Sequence, residues 1–230
     1  MRKKTLIVIG LFSAFLIIQG CTSAPEKTIL KKYFNAVQMN DNDTMSSMAL
    51  RPFQPELGSW KIVSIGEETV EPATLPELNE AEVEAKKLQD AQIGPTIDAN
   101  TALQDAQYER DTSRSAAGKR AAQRLVDELQ VKYDEENAKM QELKKAYNDA
   151  KAAAAAEEEI TMFSLGAREL PIIRQLTGQV HSKEVVVAIT DQEGQTKNYR
   201  LNMRRYDLRD EASNIPYPGR WVIIDFEPLS

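Results

Sequence analysis

Hydrophobic and polar positions follow different periods in three successive stretches of the chain. In the first stretch, apolar residues of the 28–40 segment recur at helical spacing and predict an amphipathic helix with one broad apolar face. A polar run ends this helix, and Asp43 is placed to cap a short second helix. Alternation over residues 60–65, closed by Gly66, predicts a strand. The apolar face of the first helix contains Ile29, Leu30, Tyr33, Phe34 and Val37.

The second stretch, residues 75–159, is rich in Ala, Glu, Lys, Gln and Leu and predicts long helices. In its later half, nine positions recur at alternating three- and four-residue steps without a slip, which is the heptad seam of a coiled coil. Glu136 is the one polar member of this seam. The nine positions are Val126, Leu129, Tyr133, Glu136, Met140, Leu143, Tyr147, Ala150 and Ala154.

The earlier half of this stretch has a shorter seam, which we expect to decay at Gly94–Pro95. Two arms that leave one domain and return to it have similar lengths, and the midpoint of the stretch is Gly118. We therefore predict an antiparallel hairpin with its tip at 115–119 and arms of about 40 residues, roughly 60 Å long. Three shorter helices broken at Gly94–Pro95 are the alternative. The expected early seam is Leu78, Ala81, Ala85, Leu88 and Gln92.

The third stretch, from residue 183 to 229, returns to the alternation of strands. Residues 185–189 and 199–204 alternate around a turn at 191–194, and 221–226 supplies a last apolar strand. The predicted fold class is α+β: an N-terminal helix packed on a curved antiparallel sheet, with a long inserted antiparallel helical (coiled-coil) hairpin. The α+β domain comprises residues 28–74 and 161–230, and the coiled-coil insertion comprises 75–160.

The first residues form a separate pattern. Arg2, Lys3 and Lys4 precede an uncharged apolar run that ends at Ile18, and Cys21 follows a glycine. This pattern resembles a bacterial lipoprotein signal, which implies a signal peptide at 1–20, a lipidated Cys21 that begins the mature chain, and a linker at 21–27. An ordinary secretory signal with an incidental cysteine is the alternative. The resemblance implies a lipid-anchored protein of the bacterial cell envelope, at the outer membrane facing the periplasm if the source has two membranes.

Without the helical insertion, the order of elements resembles the α+β cone of the nuclear-transport-factor-like (cystatin-like) superfamily. The segments that carry this resemblance are 29–42, 59–66, 185–205 and 220–227. The resemblance implies a sheet that wraps around the N-terminal helix. Because that fold hosts enzymes, ligand binders and assembly proteins, it does not select a function.

Charge and composition exclude several classes of function. The chain carries a formal net charge of −6, and removal of the signal changes it to −9, which disfavours binding to nucleic acid. Cys21 is the only cysteine and His181 the only histidine, so we expect no metal site. No phosphate-binding glycine loop or nucleophile elbow is present, and we expect no cofactor and no enzyme activity.

Two sets of side chains remain candidates for binding. Asp225, Tyr199 and His181 are possible residues of a cavity in the cone; by alternation Asp225 shares a face with Trp221 and Ile223. The structural alternatives are an exposed His181 at the start of a strand and an Asp225 that faces solvent or pairs with an arginine. Possible contacts to an acidic partner are Arg200, Arg204, Arg205 and Arg209, which otherwise form a solvated strand face with local ion pairs.

These observations predict a membrane-anchored envelope lipoprotein that acts as a non-enzymatic interaction or assembly scaffold. Its partners are the membrane, through lipidated Cys21, and an envelope protein or a second copy, through the coiled coil. A periplasmic chaperone of the holdase type and a small-ligand binder or enzyme using the cone cavity are the alternatives.

Overall fold

The computed structural model describes residues 25–167 and 169–229 and confirms the predicted α+β class. In that part of the chain, four α-helices, one 3₁₀ turn and six strands follow one another. Their order is α1 (Pro25–Met39), α2 (Asn42–Met48), β1 (Ser59–Ile65), β2 (Thr69–Pro72), α3 (Leu75–Thr112), α4 (Ala116–Leu165), the 3₁₀ turn (Ile173–Gln175), β3 (Thr177–Thr190), β4 (Thr196–Asp210), β5 (Ile215–Pro218) and β6 (Val222–Leu229).

The strands form one antiparallel sheet centred on the long β3–β4 hairpin. β1 and β2 pair with successive parts of β3, and β5 and β6 pair with successive parts of β4. Register shifts lie in the β1–β3 ladder, between Ile62 and Ser64, and in the β4–β6 ladder, between Asn202 and Met203. Because such bulges bend a strand and increase its twist, they help the sheet to curl around α1.

The helix α1 fills the concave face of the sheet with the apolar side that the sequence predicts. Tyr33 and Phe34 are fully buried and meet edge to face, with ring centroids 5.5 Å apart. The Tyr33 hydroxyl donates to the carbonyl of Phe53 and accepts from its amide, at 2.8 and 2.7 Å. This main core is formed chiefly by Leu30, Tyr33, Phe34, Met45, Val185, Val187, Leu201, Met203 and Ile223.

The short helix α2 begins two residues earlier than predicted. Its N-cap is Asp41, whose carboxylate accepts from the amide and the hydroxyl of Thr44 at 3.0 and 2.6 Å. The predicted cap, Asp43, lies inside the first turn. The prediction was wrong because both aspartates fit a capping position, and only the backbone conformation at residue 41 distinguishes them.

A second, smaller core lies on the convex face of the sheet. There the last turns of α4 cover Tyr206 and Leu208 of β4 and Val180 of β3. α4 therefore continues to Leu165, five residues beyond the predicted end of the coiled-coil insertion at residue 160. This helix ends at Gly166, whose φ of 66° is the left-handed conformation that terminates helices without a Cβ penalty.

The helices α3 and α4 form the predicted antiparallel hairpin. α3 is one helix from Leu75 to Thr112 with Pro95 in its interior, so the three-helix alternative is wrong. The connection is Ser113–Ser115, at the edge of the predicted tip, and Ser115 caps α4 by accepting from the Gly118 amide at 3.0 Å. A Cβ at Gly118 would lie within 3.0 Å of both serine hydroxyls, so this residue allows the tight turn.

Burial confirms the α4 seam and corrects the α3 seam. All nine predicted α4 positions are buried or half-buried. On α3, the predicted members Ala81 and Leu88 are exposed, whereas an unbroken three–four series continues past Pro95 to the tip. It was missed because half of its members are polar. The observed series is Leu78, Glu82, Ala85, Gln89, Gln92, Thr96, Ala99, Leu103, Ala106 and Arg110.

Candidate functional site

The most elaborate polar structure in the described chain is the junction between the hairpin and the sheet. Arg174, in the 3₁₀ turn after α4, forms 2.7 Å ion pairs with Glu82 of α3 and Glu158 of α4. It also donates to the Asn79 amide oxygen at 3.4 Å. Its hydrogen bonds to Glu158 and Glu82 raise the pKa of the guanidinium above its usual value, so it stays charged. One side chain thus joins both arms to the segment that leads into β3.

A second set of contacts fixes the end of α4 to β4. The buried Tyr206 hydroxyl donates to Glu157 at 2.7 Å, and Arg204 pairs with the same carboxylate at 3.2 Å. Burial raises the pKa of Tyr206 above its usual range, and the negative charge of Glu157 adds to this effect. Ser164 accepts from the Tyr206 amide and donates to the Arg220 carbonyl at 3.2 and 2.8 Å. The arms and the sheet are therefore connected by hydrogen bonds as well as by apolar packing.

The middle of the hairpin contains a polar layer. Gln92 is 4% exposed and donates to the carboxylate of Glu136, the polar seam residue identified in the sequence. Thr96 donates to the Gln92 carbonyl at 2.9 Å. A buried polar pair in an apolar seam favours one alignment of two helices over shifted ones. We infer that this layer sets the register of the two arms.

The outer surface of the hairpin is uneven in both polarity and charge. Ile93 and Ile97, one turn apart at the middle of α3, are 44% and 57% exposed. Tyr108, close to the tip, is 72% exposed. Residues 108–125 contain five Lys or Arg and two Asp or Glu, a net charge of +3, whereas the insertion as a whole has −7. The hairpin is an acidic rod with a basic tip.

A further cluster of charges lies at one end of the concave face. His181 Nδ1 is 2.6 Å from Glu68 and its Nε2 is 3.3 Å from Asp207. Lys183 pairs with Glu68 at 3.1 Å and with the fully buried Glu26 at the start of α1. Hydrogen bonds from His181, and next from Lys183, lower the pKa of Glu68. The side chain of His181 is only 13% exposed, so the alternative of an exposed strand-entry residue is wrong.

Trp221 closes this cluster. Lys183 Nζ and the Arg205 guanidinium carbon lie 5.5 and 5.4 Å from its ring centroid. Arg205 also pairs with Asp207 at 3.1 Å. Trp221 is only 8% exposed, so these side chains pack into a closed layer that joins the start of α1 to the sheet. This arrangement supports a structural role for the cluster.

The structure does not bring the three candidate cavity residues together. The strand partner of Tyr199 is Val187, six residues from His181 along β3, which corresponds to about 20 Å. Asp225 pairs with Asn202, whose amide donates to it at 2.7 Å. The bulge in β6 turns Asp225 to the face opposite Ile223, so simple alternation failed there.

The four candidate arginines do not form one basic patch. Arg200 lies 3.5 Å from Glu184 and 3.6 Å from Glu227, and Arg204 joins the Glu157 network. By strand alternation Arg205 points to the opposite face from these two. Arg209 donates to the Asn214 side chain at 2.8 Å in the β4–β5 turn. Arg200 and Arg205 pair with carboxylates of the same or neighbouring strands, which agrees with the alternative of local ion pairs, whereas Arg204 pairs with helix α4.

The lipid anchor, a membrane-spanning helix and a metal site are separate from the contacts described above. Cys21 lies outside the described residues. Within 25–167 and 169–229, no helix combines the length and apolar character needed to cross a membrane. The same residues hold no group of three or more His, Cys, Asp and Glu side chains arranged for a metal ion.

Comparison of this chain with protein-family models, with curated proteins and with solved structures finds no match. The function must therefore be inferred from the hairpin, its junction with the sheet and its surface charge.

Proposed function

We propose that the protein is a lipid-anchored scaffold of the bacterial cell envelope, without enzyme activity, whose helical hairpin binds other proteins. The observation that carries this proposal is the doubly fixed hairpin: Arg174 joins both arms, and Tyr206 and Ser164 hold the end of α4. An arm held at its base presents its tip at a defined distance from the body. The lipid on Cys21 would keep that body at a membrane.

The surface of the hairpin supports a binding role at the tip. The seam residues are satisfied between the two arms, whereas Arg114, Lys119, Arg120 and Arg124 are exposed and, within the described residues, form no ion pair. A groove of about 480 Å³ at the tip is lined by Arg110, Asp111, Lys119, Arg120 and Gln123. We expect these cations to attract an acidic surface of a partner protein and to speed the encounter.

Packing in the cone favours a scaffold over a small-ligand binder. The concave face, where such a ligand would bind, is occupied by the fully buried Tyr33 and Phe34 of α1. The candidate cavity residues Asp225, Tyr199 and His181 lie at separate places and already have protein partners.

The test is affinity capture of the lipidated protein from its own membranes, with bound proteins identified by mass spectrometry. The tip variant replaces Arg114, Lys119, Arg120 and Arg124 with Glu. The matched control replaces Lys132, Lys139, Lys144 and Lys145, which are exposed on the shaft of α4, with Glu.

Both variants change the net charge equally, so a general charge effect would alter both captures. We expect partners to be lost from the tip variant and kept by the control. If every partner of the unmodified protein remained bound to the tip variant, the proposed role of the tip would be wrong.

A further inference from the structure

Two exposed isoleucines, Ile93 and Ile97, form an apolar patch at the middle of α3, the first arm of the hairpin. α3 runs from Leu75 to Thr112, which places Ile93 within one residue of the helix centre. Ile93 and Ile97 are separated by four residues and therefore lie on the same side of α3. Their neighbours Gln92 and Thr96 belong to the seam, so the patch lies on the flank of α3, beside the seam and exposed to solvent.

The side of α3 that carries this patch is neutral because its ions are paired. Lys86 and Asp90 pair with each other at 2.5 Å, and Asp111, close to the tip, pairs with Arg110 at 2.8 Å. Towards the tip the same side continues with amides. On α4, the neighbouring half-buried positions also carry amides. The uncharged polar residues around the patch are Asn100, Gln104, Gln107, Gln130 and Asn137.

The two ends of the hairpin have opposite charge. The tip, residues 108–125, has a net charge of +3. The base, residues 75–90 together with 141–159, contains ten Asp or Glu and five Lys or Arg, a net charge of −5. A second hairpin aligned in parallel would place like charges together at both ends, whereas antiparallel alignment places each tip beside the base of the other hairpin.

We infer that two copies of this chain pair through α3, antiparallel, about a twofold axis near residue 95. In this arrangement Ile93 of each copy meets Ile97 of the other, and the neutral side of α3 is buried. The axis makes the contact self-complementary and closed. A crossing angle of about 20° between the two α3 helices keeps each tip close to the base of the other hairpin. The inference deepens the proposed function, because it uses the same hairpin and names one of its partners.

This pairing would set a distance between two bodies. Each hairpin contributes an arm of about 57 Å, since 38 residues of α3 rise about 1.5 Å each. The α+β bodies would occupy the two ends of a shared four-helix shaft. The dimer is therefore a spacer between two anchored domains.

The first test measures the oligomeric state of the full mature lipidated chain in mild detergent by sedimentation equilibrium. We expect a dimer, and we expect the Ile93→Asp/Ile97→Asp variant to dissociate at least about 100-fold more readily, because carboxylates replace the buried patch. Val131→Asp is the matched control: Val131 is 58% exposed but lies on α4. Circular dichroism checks that each variant keeps its helices.

The second test measures the direction of pairing by disulfide cross-linking. Ser115→Cys places a thiol at the tip and Glu80→Cys places one at the base, on a chain whose only other cysteine is Cys21. We expect tip-to-base cross-links when the two variants are mixed. The unmodified protein is the control for cross-linking through Cys21.

Three results would overturn the inference: a monomer, a dimer unchanged by Ile93→Asp/Ile97→Asp, or tip-to-tip cross-links in place of tip-to-base ones. None of these results would remove partner capture by the tip, which is measured separately. Conversely, a dimer that captures no other protein would leave the pairing intact and contradict the wider scaffold role.

Discussion

Replacement of Arg174 by Ala should weaken the junction between the hairpin and the sheet. Arg174 makes two 2.7 Å ion pairs, and its side chain is 30% exposed, as against 15% for Glu82 and 33% for Glu158. Buried charge-assisted hydrogen bonds contribute about 1.5–3 kcal/mol, and solvent reduces this at partly exposed sites. We assign about 1.5 kcal/mol to the Glu82 pair and about 1 kcal/mol to the Glu158 pair, so Arg174→Ala should cost about 2.5 kcal/mol.

Two measurements test this expectation. Urea unfolding followed by circular dichroism gives the change in the free energy of unfolding, and a double-mutant cycle with Glu82→Gln isolates that pair. Spin labels at the tip and on the β3–β4 turn report whether the distance between arm and sheet becomes more variable. Arg209→Ala is the control, because Arg209 is exposed and donates only to Asn214 in the described structure.

A small loss of stability would contradict this role of Arg174. Ordinary surface substitutions change stability by about 0.5 kcal/mol or less. If Arg174→Ala fell within that range and the distance distribution kept its width, apolar packing alone would hold the arm. The junction would then not depend on the ion pairs.

Three other changes have definite expected outcomes. Gln92→Leu should destabilise the hairpin by about 1–3 kcal/mol by leaving Glu136 without its partner, whereas Gln92→Leu/Glu136→Leu should recover stability but loosen the register in cross-linking. His181 and Lys183 lower the pKa of Glu68 below its usual 4.5, so Glu68 contributes its full stabilisation of the fold above pH 4.5. This stabilisation is lost as the pH falls through the lower pKa of the folded state. Glu68→Gln should therefore weaken the acid dependence of urea unfolding. Burial raises the pKa of Tyr33 from 10.0 to about 12, so the stability that the neutral Tyr33 contributes is lost as the pH rises through that range. Tyr33→Phe should remove one late step from an ultraviolet titration of the tyrosines.

Apolar periodicity was sufficient to predict the elements that bury apolar side chains. The face of α1 and the α4 seam were visible because nearly all of their inward positions are apolar. The α3 seam was only partly visible, because Glu82, Gln89 and Thr96 are inward positions occupied by polar residues. Their burial depends on partners supplied by distant parts of the chain, such as Arg174 and Glu136, which periodicity on one helix does not indicate.

Features that depend on backbone irregularity also escaped sequence reasoning. β2, with four exposed residues, gives no alternation that could identify it. A one-residue bulge reversed the face of Asp225, and no local pattern marks its place in β6. The concave cluster was missed because its members come from five separate segments; His181 and Arg205 were identified, but as candidates for two different sites.

The junction at Arg174 has a mechanical consequence, since it lies at the short end of a long lever. With an arm of about 57 Å, a rotation of one degree at the base moves the tip by about 1 Å. The same ratio acts in reverse: a force applied at the tip is multiplied at the base, where both helices share one guanidinium with the segment leading into β3. A load on the tip would therefore act on these two ion pairs, and on the Tyr206 and Ser164 contacts at the end of α4, before it reached the buried core around α1.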